Sequence, residues 1–121
     1  MEKINLSEIE GMRFPTGRHT RVLIGADSPV QAEHFTMGYV KIDPEGSVPK
    51  HEHEQEEVYY IVEGNGTIEL GGEVSKIEAG SAVYIPSNIP HELVNTGTEE
   101  MVMMFVYSPA GVVDHWDEER K

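Results

Sequence analysis

Thr67-Ile68-Glu69-Leu70-Gly71-Gly72-Glu73-Val74-Ser75-Lys76 decides the fold class. Apolar and polar residues alternate up to Leu70 and resume after the glycine pair, as in two half-exposed strands. A two-residue hairpin needs positive φ at both central positions, which Gly71-Gly72 supplies. Outward from this hairpin, turn signals recur every eight to twelve residues: Asp43 to Gly46, Gly64 to Gly66, Gly80, Pro86 to Pro90, Asn95 to Gly97 and Pro109. The segments between them are short and rich in β-branched and aromatic residues: Thr20 to Ile24, Phe35 to Ile42, Val58 to Val62, Ala82 to Ile85, His91 to Val94 and Met101 to Tyr107. The pattern is all-β. Leu6 to Arg13, with Ser7 as N-cap, and the acidic tail Val112 to Arg120 are the two stretches with any helical character. Many short strands must hide their edges, so a sandwich or barrel is expected, and 121 residues suit one domain spanning the chain.

Composition narrows the function. Nine Lys and Arg stand against 22 Asp and Glu, a formal charge of −13, which repels phosphate backbones and anionic lipid. Nucleic acid and membrane are therefore not expected partners. Met101 to Tyr107 is the longest apolar run, too short to cross a bilayer, and the N-terminus lacks an apolar leader core, so a cytoplasmic protein is expected. With no cysteine, any metal site must be built from His and carboxylate.

Such a set exists. His51 and His53 are two residues apart, which on an extended strand places both imidazoles on one face. Glu57 follows at the start of the apolar run Val58 to Val62, where a lone buried carboxylate is costly unless paired or metal-bound. His91 opens a later strand after the stiff Pro86-Ser87-Asn88-Ile89-Pro90. Three imidazoles and one carboxylate suit a single divalent first-row ion (Fe, Mn, Ni, Co, Cu or Zn) without choosing among them. Glu52, Glu54 and Glu56 read as a solvated acidic face that attracts cations.

On these residues the chain resembles the cupin superfamily. The family's first motif is matched by His51, His53, Glu57 and Gly64, and its second by Gly80, Pro86, His91 and Asn95, with a short 15-residue connection from Asn65 to Ala79. Two departures spare the ligands: Gly46 stands five rather than six positions before His51, and Asn88 replaces a glycine. The resemblance covers about Phe35 to Pro109. It implies a small jelly-roll (double-stranded β-helix) barrel and a metal held by His51, His53, Glu57 and His91.

Cupin chemistry is diverse, so the resemblance implies a class rather than a reaction. An enzyme acting on a small oxygen-rich metabolite is expected, of dioxygenase, decarboxylase, lyase or isomerase type; the alternative is a non-catalytic metal-dependent binding or sensing protein. Tyr59 and Phe105 are the side chains expected to join Glu57 in the chemistry, from a set that includes Met37, Tyr39, Met101, Met103 and Tyr107. Cupins that linearise unsaturated uronates are similar around Ser108-Pro109, but their acid and arginine have no counterpart in Phe105 to Gly111. Arg18, Arg21 and Lys41 are among the few cations that could hold an anionic substrate, though solvated surface charge is the simpler reading. His19, His34 and His115 lie outside the motifs. A homodimer is expected, with the strand near Arg21 to Ile24 contributing.

Overall fold

The computed structural model describes residues 1–26 and 28–111. The helix expected over Val112 to Arg120, and His115 within it, lie outside the described residues. Ten strands follow in chain order: β1 (Met12–Phe14), β2 (Arg18–Ile24), β3 (Thr36–Ile42), β4 (Ser47–His51), β5 (Glu56–Glu63), β6 (Asn65–Leu70), β7 (Glu73–Glu78), β8 (Ala82–Ile85), β9 (His91–Val94) and β10 (Met101–Ser108). They form a six-stranded sheet, β1-β2-β3-β10-β5-β8, and a four-stranded sheet, β4-β9-β6-β7, antiparallel throughout, in the jelly-roll arrangement. Among the described residues, no helix is long and apolar enough to cross a membrane.

The period-two patterns deliver the core. Along β3 and β5 every second residue is buried, so Val40 and Ile42, Tyr59 and Ile61 face inward. They meet Val48, Ile68, Ile77 and Leu93 of the other sheet in one apolar cluster. Leu70 pairs with Glu73 across Gly71 and Gly72, whose φ values of 57° and 86° confirm the primed hairpin turn.

The N-terminal segment corrects the sequence reading. Instead of a helix from Leu6 to Arg13, one 3-10 turn covers Leu6–Glu8, capped by Asn5 rather than Ser7, and the chain then joins β2 as β1. So short a segment does not sustain a helix unaided, and Gly11 (φ 75°) runs against the Thr20 carbonyl, where a side chain would collide. β1 covers β2 only as far as Thr20, so among the described residues Arg21 to Ile24 border no other strand on that side. The sequence reading also passed over β4. That strand contains Pro49, which is tolerated because β4 is an edge strand whose pairing with β9 shifts register between Val48 and His51.

Candidate metal centre

Both sheets contribute to one end of the barrel. His51 is the last residue of β4 and sits directly opposite His91, the first residue of β9. His53 lies beyond the end of β4, in the link that crosses to the six-stranded sheet, so the single strand expected to carry both imidazoles ends between them. The rings nevertheless converge, with His51 and His53 centroids 5.3 Å apart. Glu57 is the second residue of β5, on its inward face. One ligand atom from each of His51, His53, Glu57 and His91 lies within 4.8 Å of the others. A first-row ion holds such atoms at about 2.0–2.2 Å, so ligands facing each other across it stand about 4.2 Å apart, and the group needs only slight contraction.

Second contacts fix which nitrogen faces inward. Nδ1 of His51 donates to the Pro49 carbonyl (2.7 Å), that of His53 to Gln55 (2.9 Å) and that of His91 to Ile89 (2.8 Å). A carbonyl can only accept, so each Nδ1 carries the proton and each Nε2 presents its lone pair to the cluster. The buried His91 Nε2 has no hydrogen-bond partner. His53 Nε2 stands 3.1 Å from Glu57 Oε1 and His91 Nε2 3.6 Å from the same oxygen, contacts that require positive charge between them, from a proton or a metal ion. These residues fit a divalent cation.

The electrostatics agree. Burial alone would lower the His53 imidazole, but the hydrogen bond to Glu57 and its negative charge outweigh that and hold it above its usual 6.5. Burial would likewise raise Glu57, yet the hydrogen bond from His53, the approach of His91 and the charge of both hold it below 4.5. Glu52, Glu54 and Glu56 point outward, as expected of a solvated face.

Tyr59 is buried with its ring 6.1 Å from His91. Phe105 stands one layer back, stacked on Tyr107 with centroids 5.7 Å apart, in space left by the missing side chain of Gly38. Tyr107 also stands beside the ligands, where the sequence reading had favoured Tyr59 and Phe105. Its ring is 6.4 Å from His53, its hydroxyl donates to the Gly111 carbonyl, and burial holds its phenol above the usual range. The signal was present: Tyr107 is two residues after Phe105 and shares its face. Asn88 also matters, because in its left-handed conformation (φ 61°) its backbone N–H donates to the His53 carbonyl at 2.8 Å. Asn95 acts at a distance, donating to the Ile42 and Glu99 carbonyls and accepting from Gly97.

Other candidates lie elsewhere. Met101 and Met103 are core residues, whereas Met37 and Tyr39 lie on the opposite face of β3 from the core. His34 is exposed. Arg18 is not the solvated surface charge expected but is buried, its guanidinium 3.9 Å above the Phe14 ring. Neither it nor His19, Arg21 or Lys41 belongs to the cluster.

Known proteins resemble this one at both levels. The family model for the cupin domain matches residues 38–107. The polyketide synthase CurC of Streptomyces cyaneus is 34% identical over 107 residues, 88% of this chain and 68% of that protein. An oxalate-binding protein of Thermotoga maritima is 35% identical over 68 residues, covering 55% of this chain and 56% of its own length. The polyketide cyclase RemF of Streptomyces resistomycificus superposes with a TM-score of 0.75 at 27% identity, over 89% of this chain and 79% of its own.

Proposed function

The chain belongs to the cupin family, and from that premise we propose that it is a metal-dependent enzyme acting on a small oxygen-rich metabolite. The observation that carries this reading is the set of inward Nε2 lone pairs around Glu57, with His91 Nε2 buried and unpartnered. When bound, the ion supplies Lewis acidity and open coordination positions for two substrate oxygens. His51, His53, Glu57 and His91 would hold it, while Tyr59 and Tyr107, backed by Phe105, would form an aromatic wall favouring a flat, unsaturated substrate. A β-dicarbonyl meets both demands, and likeness to CurC and RemF supports that class, since carbonyls recur along a polyketide chain. A second copy of the chain is part of this reading, because Val58, Tyr60, Tyr84 and Val106 leave an apolar outer face on the six-stranded sheet.

The test is to supply metal-reconstituted protein with β-diketones, oxalate, uronates and catechols while following oxygen uptake and products. Turnover of one class that is lost in Glu57→Ala is the expected result. Saturable binding of a chelating ligand without turnover of any would favour the non-catalytic reading, which likeness to the oxalate-binding protein supports.

A further inference from the structure

Four of the nine Lys and Arg residues of this strongly acidic chain, Arg13, Arg18, Arg21 and Lys41, line one cleft of about 340 Å³. Among the described residues two carboxylates, Asp43 and Glu100, share it, so this lining carries an excess of positive charge on a molecule of charge −13. Strand register explains how Arg13, Arg21 and Lys41 gather. Arg13 lies directly opposite His19, and His19 directly opposite Lys41, a row across β1, β2 and β3. Arg21 is two residues beyond His19 and shares its face, the face opposite the core-directed Thr20 and Val22. Adjacent strands are about 4.8 Å apart, so these heads converge within reach of one small molecule.

Among the described residues, Glu100 reaches Lys41 at 3.7 Å with both side chains well exposed, a contact of little worth. The Arg21 Nε is buried and has no hydrogen-bond partner. His19 is held by its Nε2 donating to the Glu10 carbonyl at 2.8 Å, which braces the floor of the cleft. Guanidinium groups match the paired oxygens of carboxylate or phosphate.

We propose that this cleft is a second binding site, for a small dianionic oxyanion, separate from the metal centre. The two sites occupy opposite ends of the barrel. Lys41 pairs with Val102 near the start of β10, whereas Tyr107, beside His53, lies near its end, roughly 17 Å of strand away. The site does not depend on the metal chemistry, so either can fail without the other.

The test is a titration of the purified 121-residue protein at low ionic strength, with inorganic phosphate in one arm and succinate in the other, followed by amide chemical shifts. Saturable shifts should centre on β1 to β3 around residues 13, 19, 21 and 41, and the arm that saturates at lower concentration identifies phosphate or dicarboxylate as the preferred chemistry. Arg13→Ala and Arg21→Ala should each weaken binding about tenfold, the worth of one charge-assisted contact. His91→Ala should leave it unchanged. The proposal is overturned if both anions shift only the metal-site residues, if shifts scatter over Lys3, Lys50 and Lys76 without saturating, or if folded Arg21→Ala binds as well as the parent. Sedimentation run in parallel supplies one more overturning result: dissociation of an oligomer in Arg13→Ala or Arg21→Ala would make the cleft an interface between copies.

Discussion

At the residue scale the metal centre makes two demands. The first is on ligand identity: replacing His53 and His91 together by Ala should reduce metal from about one ion per chain to near none by elemental analysis, because half the donor set is gone. The second is on pH. In metal-free protein the raised His53 contributes stability that is fully present below 6.5 and is lost as pH rises through its elevated value. The lowered Glu57 contributes stability present above 4.5 and lost as pH falls through its depressed value. The metal-free melting temperature should therefore gain most from this pair between about 4.5 and 6.5, whereas the loaded form, which needs neutral imidazoles, should draw ahead toward neutrality. Melting curves with and without chelator across this range check it, and parallel curves would exclude the coupling. The four ligands were legible in the sequence because their spacing is a property of side-chain identity. The carbonyls of Pro49, Gln55 and Ile89 that turn the rings were not, since every residue carries a carbonyl and only the folded backbone selects which one serves.

At the scale of elements, Gly38 on β3 shows how a missing side chain shapes a site. A methyl group there would run into the Phe105 ring, which is itself stacked on Tyr107. Gly38→Ala should destabilise the protein by about 1–3 kcal/mol through overpacking, read as a lower urea midpoint, and should displace Tyr107 relative to His53. Ala82–Ile85 and His91–Val94 were legible end to end, because turn signals bound each of them. Ser47–His51 was not, because Pro49 and Lys50 weigh against a strand and only the β4–β9 pairing overrides them.

For the whole molecule, charge and apolar surface oppose each other. Two copies carrying −13 each repel, while burying Val58, Tyr60, Tyr84 and Val106 would favour association. Salt screens the first effect and leaves the second, so sedimentation should show a dimer whose population grows with ionic strength. Val58→Asp combined with Tyr60→Asp should shift it to monomer with the β-sheet circular dichroism intact; an unchanged dimer would place the interface elsewhere. The charge was plain in the composition, but the apolar face was not, because it is assembled from alternate residues of β5, β8 and β10.

His51 and His91 face each other across β4 and β9 yet stand forty positions apart in the chain. A cation gripping both would close that stretch into a ring, a reversible counterpart of a disulfide, and a covalent closure of that length is worth about 4 kcal/mol in chain entropy. Among the described residues β4 is an edge strand paired with β9 alone, so this clasp guards a strand open to peeling away. Withdrawing the cation with a chelator should therefore speed amide hydrogen exchange in Ser47–His51 well before it touches Thr36–Ile42, which is flanked on both sides. The barrel would open like a locket, hinged on its larger sheet and sprung at the catch.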